Sequence, residues 1–315
     1  MTERAHQKTL AQVKVAVVIP TLNERHGIGS VMDKTRESLR DIPHDIVVVD
    51  GHSTDGTDKI AMELQAKVIY QEGKGYGDAL LSGFNYSLQH LNPNVIFMID
   101  ADGTYDPADM IKMLRVITEG GYDLVIGNRF QGIERAAMPL TNQIGNKILS
   151  WMMRKTLKIS AKDTQCGLRG FRADLIKKLD LRTSGMPFTT EMLVEASRVR
   201  ARIAEVPVTY RQRIGHAKLD PFRDGFRILA TILRLYRDFE PLLFFGGIGS
   251  VLTLAGLVIG FSVLIEWLTT GAITRLASTM LSAMLMLSGF QLFILGLLAD
   301  MVKDVKRAIR LQTRF

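Results

Sequence analysis

Three carboxylates stand close together within residues 95–107, where the sequence reads VIFMIDADGTYDP. An apolar run ends at Asp100, and Asp102 and Asp106 follow closely. Acids this close repel one another, which predicts a positive partner. The turn lets Asp100 and Asp102 approach one hard cation, and Mg²⁺ or Mn²⁺ takes only a few oxygens from protein and the rest from water and phosphate. The pattern therefore predicts a metal–diphosphate site, with Asp106 before Pro107 as a helix cap.

Two further motifs place polar groups after buried runs. In VVVDGHSTDGTDKIA, Ser53 or Asp55 would cap the next helix. Asp50 ends a strand and has no such capping task, so it can accept hydrogen bonds from a base or ribose. In QEGKGYGDAL, Lys74 stands between glycines before a helix, where backbone and ammonium can approach an anion. The GxxxxGK[ST] pattern is missing here, which disfavours ATP hydrolysis of the P-loop type.

The elements that must position these residues alternate in type. Short β-branched runs predict strands at 13–20, 45–50, 66–70, 94–100 and 123–128. Helical stretches lie between them at 27–40, 56–65, 76–90 and 107–119. This βαβα order predicts a mostly parallel sheet flanked by helices, in which ligands bind beyond the carboxyl ends of the strands. The polar motifs above all lie at those ends.

The composition bounds the function. The chain has 315 residues, with 40 Lys and Arg against 32 Asp and Glu, which suggests an anionic partner. No nucleic-acid-binding motif is recognised, so nucleic acid is not expected as a partner. The single cysteine, Cys166, excludes an internal disulfide framework. The polar start, MTERAHQKTLAQVK, lacks the apolar segment of a signal peptide.

The C-terminal part predicts a membrane hairpin. Residues 241–265 and 276–299 contain no charged residue, and each run exceeds the roughly 20 residues that cross a bilayer. Basic residues precede the first run and follow the second, so the positive-inside rule places both ends in the cytoplasm. A buried core hairpin of a soluble protein is the alternative. Segments 221–240 and 142–159 are amphipathic, and each lies in the lipid interface or packs on the globular domain.

The motifs together carry a resemblance to a known family. VVIPTLNE, VVVDGHSTDGT, GKGYGDAL, IDADGTYDP, GNRF, DTQCGLRGF and RIGHAKL occur in this order over about residues 13–220. The chain resembles family 2 glycosyltransferases of the GT-A fold, and most of all the branch that uses polyprenyl or dolichyl phosphate. The resemblance implies a Rossmann-like catalytic domain at 1–220, an interfacial helix at 221–240, a transmembrane hairpin at 241–300 with spans near 242–265 and 276–299, and a basic cytoplasmic tail at 301–315.

Residue roles follow from the resemblance by position. It implies a nucleotide-sugar pocket formed by Pro20, Thr21, Asn23, Glu24, Asp50, Lys74, Asp100, Ala101, Asp102, Arg213 and Lys218. It implies metal ligation by Asp100, Asp102 and Thr104, and contact with the acceptor phosphate by Arg129, Asn142 and Asn146. Asp102, Arg129, Glu191 and Arg213 are the implied catalytic residues, with Glu191 near the sugar.

Departures from the family pattern bear on the donor. The usual DDGS is Asp50-Gly51-His52-Ser53 here, and Thr104 replaces a glutamine that ligates metal in mannosyltransferases. Asn142 and Asn146 stand where those enzymes carry basic and hydroxyl residues. These differences look more like archaeal enzymes that use UDP-sugars, so UDP-glucose or UDP-N-acetylglucosamine is favoured over GDP-mannose.

The predicted function is a membrane-bound, Mg²⁺- or Mn²⁺-dependent, inverting transfer of one sugar to a polyprenyl or dolichyl phosphate at the cytoplasmic face, for glycan assembly such as protein glycosylation. A homo-oligomer is left open. A processive polysaccharide synthase would carry a QxxRW element and more spans. The missing second acid in DGHS favours another rival, a non-catalytic nucleotide-sugar-binding membrane protein, but the retained Asp100 and Asp102 argue against it.

Overall fold

The computed structural model divides the chain into two units. It describes residues 10, 12–132, 134, 137–157, 161–181, 188–214, 226, 230, 233, 234, 236, 237 and 240–312. The first unit is Met1–Ile232 and the second is Leu233–Phe315. Lys218 and most of the amphipathic segment 221–240 lie outside the described residues, so the predictions made for them stay predictions.

One mixed sheet forms the centre of the first unit. Its strands are β1 (Val15–Thr21), β2 (His44–Asp50), β3 (Lys67–Tyr70), β4 (Val95–Met98), β5 (Leu124–Asn128), β6 (Arg169–Arg172) and β7 (Ile203–Pro207), in the order β3-β2-β1-β4-β6-β5-β7. The pairs β1/β2, β1/β4, β2/β3 and β5/β7 are parallel, whereas β6 runs antiparallel between β4 and β5. The five predicted strands are present, and β6 and β7 are additional.

Helices cover the sheet. They are α1 (Ile28–Leu39), α2 (Thr57–Glu63), α3 (Tyr76–Tyr86), α4 (Asp109–Thr118), α5 (Leu140–Leu157), α6 (Ala173–Ile176) and α7 (Phe188–Arg198). A π-turn at Ser87–Leu91 extends α3, and a 3₁₀ turn at Arg129–Gln131 follows β5. In α1 the buried residues recur at three- and four-residue spacing, so this helix presents one mostly apolar face to the core. They are Ile28, Val31, Met32, Thr35 and Leu39.

The second unit contains two long apolar helices, α8 (Pro241–Thr270) and α9 (Leu276–Gln312). Pro241–Thr270 and Leu276–Lys303 are long and apolar enough to cross a bilayer. Many of their large apolar side chains are exposed, for example Val258 and Phe290, unlike those of a soluble core helix. The helices pack through small residues: Ser282 Oγ donates to Gly256 O at 2.7 Å, and Gly249 lies directly against the carbonyl of Gly289.

Candidate active site

The carboxyl ends of β1, β2 and β4 bring the predicted site residues together. Thr21 ends β1 and is paired in register with Asp50, which ends β2. Asp100 follows β4, which pairs with β1 on its other side. These strands are buried because their side chains are mostly apolar. Since the strands are parallel, their polar carboxyl ends lie at the same edge of the sheet.

Asp50 is hydrogen-bonded within the loop that follows β2. Its Oδ1 accepts a hydrogen bond from Ser53 N at 2.7 Å, and its Oδ2 accepts from Ser53 Oγ at 2.7 Å and from Thr21 Oγ1 at 3.1 Å. The carboxylate is fully buried. Asp50 therefore shapes the loop after β2, and any contact with a nucleoside would be made in addition to these bonds.

Hydrogen bonds connect the loops after β1 and β2. Asn23, with a left-handed backbone (φ 51°), accepts from Thr54 N through Oδ1 at 2.7 Å, and its own N donates to Ser53 Oγ at 2.8 Å. Glu24 N donates to Thr57 Oγ1 at 2.8 Å, and Asp55 Oδ1 accepts from Thr57 N at 3.0 Å. The two loops thus hold Glu24 at the rim, while Pro20 lies buried within β1.

Asp100 lies in a crowded, poorly hydrated position. Its Oδ1 accepts a hydrogen bond from the hydroxyl of Tyr76 at 2.8 Å. Desolvation, and next the charge of Asp102, raise the pKa of Asp100 to about 7. Ala101 between the two acids is buried, and its carbonyl lies so close to Gly27 that a side chain at position 27 would collide with it.

Asp102 is held on both sides. Its Oδ1 accepts from Thr104 N at 3.0 Å and from Thr104 Oγ1 at 2.7 Å, and its Oδ2 lies 3.2 Å from Arg213 Nη1. The hydroxyl of Thr104, which was predicted as a metal ligand, thus donates a hydrogen bond to Asp102. Asp106 Oδ1 accepts from Ala108 N at 3.1 Å, but Ala108 is itself the N-cap residue of α4 and no side chain caps this helix, so the predicted capping role of Asp106 was wrong. Asp106 closes the turn just before the helix instead.

The acidic turn fits a divalent cation. Desolvation and, after it, the charge of Asp102 raise the pKa of Asp100, and a cation beside the two carboxylates would offset the repulsion between them. Within the described ranges no three His, Cys, Asp or Glu side chains form a cluster that could hold a metal. A cation here would therefore take further oxygens from phosphate and water, which suits Mg²⁺ or Mn²⁺.

Of two basic residues that were predicted to bind the donor, Arg213 contacts this turn and Lys74 does not. Arg213 reaches it, because its Nη2 donates to Glu24 Oε1 at 2.5 Å in addition to its contact with Asp102. Lys74 is exposed on the loop before α3, next to Gly75, whose φ of 96° favours glycine. Among the residues that the structure describes, no hydrogen bond or ion pair joins Lys74 to the acids, so its role at the donor stays a prediction.

Arg129 is buried in an ion pair that the sequence did not suggest. Its Nε and Nη2 donate to the two oxygens of Asp163 at 2.7 and 2.8 Å, and its backbone N donates to Asp163 Oδ2 at 3.0 Å. Asp163 occupies the Nε–Nη2 edge of the guanidinium, so the predicted contact of Arg129 with a phosphate cannot use the two parallel bonds of that edge. A phosphate would have to meet the Nη1 side.

Comparison with known proteins decides the family. Residues 16–180, just over half of the chain, match the family described as glycosyl transferase family 2. The chain belongs to glycosyl transferase family 2.

Relatives match this glycosyltransferase over most of their lengths. Glycosyltransferase AglJ of Haloferax volcanii is 32% identical over 295 residues, covering 93% of this chain and 95% of the relative. The dolichyl-phosphate hexose transferase of the same organism is 35% identical over 224 residues, covering 70% and 93%. The UDP-N-acetylglucosamine–dolichyl-phosphate N-acetylglucosaminyltransferase of Methanococcus voltae is 29% identical over 248 residues, covering 72% and 97%.

A solved structure shares the fold of the glycosyltransferase. Glucosyl-3-phosphoglycerate synthase from Mycobacterium tuberculosis, in complex with Mn²⁺, UDP-glucose and phosphoglyceric acid, superposes with a TM-score of 0.62 and 20% identity, covering 75% of this chain and 84% of that one. This likeness confirms the GT-A architecture: a Rossmann-like mixed sheet flanked by helices.

Three residues that position the site of this glycosyltransferase were not singled out in the sequence. They are Tyr76, Asp163 and Arg169, all inside the motifs GKGYGDAL and DTQCGLRGF. Arg169 is fully buried and donates to the backbone oxygens of Cys166, Thr164 and Thr189 at 2.7 to 2.9 Å. It thereby ties the loop before β6 to the start of α7, which carries Glu191. Membership of a motif was the signal that could have found these three residues.

The two asparagines that were predicted to contact the acceptor phosphate lie on α5. Asn142 and Asn146 are both partly exposed, and Asn146 Nδ2 lies 3.7 Å from Met138 Sδ. Glu191 is buried on α7 and interacts with another group of the protein. The fold thus places these residues on two separate helices, and their roles stay predictions.

Proposed function

We propose that this glycosyltransferase moves a single sugar, with inversion, from a nucleotide sugar to a polyprenyl or dolichyl phosphate at the cytoplasmic face of a membrane. One observation carries the proposal: a carboxylate turn suited to a metal–diphosphate occurs in the same chain as two long helices with exposed apolar faces. A soluble acceptor would not need such helices. The names of the two dolichyl-phosphate relatives support a lipid phosphate as acceptor.

Asp100 and Asp102 would hold Mg²⁺ or Mn²⁺ together with the donor diphosphate. When bound, the cation would offset negative charge on the departing nucleoside diphosphate. Arg213 adjoins the same acids and would contribute to that task. Thr104 orients Asp102, and Tyr76 orients Asp100.

The acceptor needs no base to attack. A phosphate monoester has a second pKa of about 6, so it is mostly dianionic at neutral pH. Its oxygen forms the new bond to the anomeric carbon, and the electron pair of the broken bond leaves on the nucleoside diphosphate. Arg129 Nη1, Asn142 and Asn146 are proposed to hold the acceptor phosphate. Glu191 would orient the sugar.

One face of α5 supports the membrane-interface reading of segment 142–159. Its exposed apolar residues are Leu140, Ile144, Ile148 and Trp151. Ile144, Ile148 and Trp151 line a cavity of about 540 Å³ together with Lys147, Arg154 and Lys162. Apolar residues flanked by cations suit an anionic lipid interface. The opposite face, with Leu149 and Met153, is buried in the domain. Helix α5 would thus pack on the domain with one face and meet the lipid interface with the other.

The donor is proposed to be UDP-glucose or UDP-N-acetylglucosamine. The departures at His52, Thr104, Asn142 and Asn146 favour a UDP-sugar over GDP-mannose. The N-acetylglucosaminyltransferase relative is named for a UDP donor, which agrees with this preference.

A transfer assay tests the function. Membranes containing the protein are incubated with labelled UDP-glucose, UDP-N-acetylglucosamine or GDP-mannose, with or without polyprenyl or dolichyl phosphate, and the lipid product is identified by mass spectrometry. We expect a lipid-phosphate-linked monosaccharide of inverted configuration. Asp102→Asn is the matched inactive control, because a charged ligand becomes a neutral, weaker one. Absence of a lipid-linked sugar with every pair, or undiminished transfer in excess chelator, would contradict the proposal.

A further inference from the structure

The side chain of Arg213 joins two acids from distant parts of the chain. Its Nη2 donates to Glu24 Oε1 at 2.5 Å, and its Nη1 lies 3.2 Å from Asp102 Oδ2. Thr104 engages the other oxygen of Asp102, Oδ1, through two hydrogen bonds. Arg213 thus contacts Asp102 Oδ2, the oxygen that Thr104 does not engage and that a cation would use.

The backbone of residues 210–214 fixes this arrangement. Arg211 N donates to Thr104 O at 2.8 Å, and Ile214 N donates to Asp102 O at 2.9 Å. The side chain of Ile214 packs directly over Gly103, which has a left-handed backbone with φ 74°. The segment therefore runs along the acidic turn with the base of Arg213 anchored, and the guanidinium can change partners by side-chain rotation alone.

Arg213 also retains a donor that needs an acceptor. Its Nε is buried and has no hydrogen-bond partner in the part of the chain that the structure describes. A buried donor without an acceptor is unfavourable, because it has lost its hydrogen bonds to water. A guanidinium in this condition is suited to a diphosphate, whose oxygens accept from several N–H groups at once.

We propose, building on the proposed function, that Arg213 competes with the divalent cation for Asp102 and so makes cation binding depend on the nucleoside diphosphate. A guanidinium and a divalent cation repel each other at a shared oxygen. Without nucleotide, the divalent cation must displace Arg213 from Asp102, and the positive charge of Arg213 then stays close to the cation. A diphosphate supplies Arg213 with new acceptors while the cation takes Asp102, so cation and nucleotide bind with positive coupling.

Calorimetric titration of Mn²⁺ into the full-length protein in detergent tests this coupling. The titration is run without nucleotide, with UDP and with GDP. In the wild type we expect nucleotide to tighten Mn²⁺ binding by roughly tenfold or more, within the usual range of coupling between sites. In Arg213→Gln we expect Mn²⁺ alone to bind roughly tenfold more tightly than in the wild type, and the gain from nucleotide to shrink.

Arg211→Gln is the matched control. It removes the same charge from the same segment, but Arg211 pairs with Asp106 at 2.8 Å and with Glu134 at 3.3 Å, not with Asp102. Its Mn²⁺ affinity should stay close to that of the wild type. Equal Mn²⁺ affinity in Arg213→Gln and Arg211→Gln would overturn the inference.

Arg213→Lys keeps the inference testable if Arg213→Gln does not fold. An ammonium cannot grip both acids with two oriented bonds, so Mn²⁺ alone should bind more tightly than in the wild type, though less tightly than after removal of the charge. An unchanged affinity would overturn the inference here too. Since the titrations contain neither sugar nor lipid, they are independent of the transfer assay. Missing transfer with intact coupling would count against the proposed function alone.

Discussion

Two buried arginines, Arg129 and Arg169, satisfy their guanidinium groups with different partners. Arg129 has a carboxylate partner, Asp163, whose backbone N in turn donates to Glu205 Oε1 at 2.7 Å. Arg169 instead donates to three backbone carbonyls. Both use the planar fork of the guanidinium, which lysine does not possess. Burial also raises the pKa of the neighbouring Cys166 to about 12, so this thiol is unreactive at neutral pH.

Arg129→Lys should weaken both the fold and the acceptor site. Loss of the oriented bonds to Asp163 costs roughly 2 kcal/mol, since hydrogen bonds to charged groups are worth about 1.5–3 kcal/mol. We expect a lower Tm, and a KM for lipid phosphate that rises more than the KM for nucleotide sugar. Arg211→Lys, at a more exposed ion pair, should alter neither quantity appreciably. Equal increases in both KM values would argue against an acceptor role for Arg129.

Glu191→Gln should preserve turnover, because the acceptor dianion attacks unaided. Below its second pKa of about 6 the phosphate becomes a monoanion, so the rate should fall as the pH falls through that value in both proteins. Steady-state rates measured between pH 5 and 8 provide the check. Abolished turnover with unchanged donor and acceptor affinities, restored by a small exogenous base, would instead identify Glu191 as the catalytic base.

At the scale of elements, close packing of α3 on the sheet positions the site. Gly83 faces Val18 of β1 and Val49 of β2, and a methyl group there would overlap their side chains. The same helix carries Tyr76 at its start, which binds Asp100. Any shift of α3 away from the sheet would therefore also move the hydroxyl that orients this acid.

Gly83→Ala should destabilise the catalytic unit by about 1–3 kcal/mol, the usual cost of overpacking a core. Gly29→Ala in α1 is the matched control, because a methyl group there makes only ordinary contacts, with Leu64 Cδ1 at 3.8 Å and Ile60 Cγ2 at 4.0 Å. The substitution also removes backbone freedom from the unfolded chain. Thermal unfolding of the purified protein in detergent should show a lower Tm for the first variant, and an unchanged or slightly higher one for the second. The same Tm for both would contradict this account of packing at Gly83.

At the scale of the whole molecule, the second unit consists of two candidate membrane-spanning helices. Small residues draw α8 and α9 together, while their apolar side chains point outward. Gly271, with φ 70°, ends α8 and donates to Trp267 O at 2.9 Å. Glu266 pairs with Arg275 at 2.9 Å across the connection. This ion pair lies at the end of the hairpin where α8 is connected to α9.

Single cysteines near Thr270 and near Gln312, in a Cys166→Ala background, should be labelled from opposite faces of sealed vesicles. The turn between α8 and α9 lies on the far side if both helices span the bilayer, and the basic end of α9 stays in the cytoplasm. Membrane-impermeant maleimide, applied before and after permeabilisation, gives the readout. Labelling of both positions from one face would exclude a spanning hairpin.

Much of the fold and part of the site could be predicted from local sequence. Apolar runs that end in polar residues located β1 to β5, and the lengths of the uncharged segments located α8 and α9. Parallel strands present their carboxyl ends at one edge, so Asp50 and Asp100 could be placed there before any coordinates were known. These features are periodic or continuous along the chain, and sequence shows them directly.

Only the tertiary structure decided which charged groups meet. Arg213 pairs with Glu24 across 189 residues, and Arg129 pairs with Asp163 across 34. Strand β6, with the sequence RGFR, inserts antiparallel between β4 and β5 although it is short and rich in arginine. Such contacts leave no periodic pattern in the chain. They form because packing of the sheet and its loops brings distant residues into one poorly hydrated space, where a buried charge must find a partner.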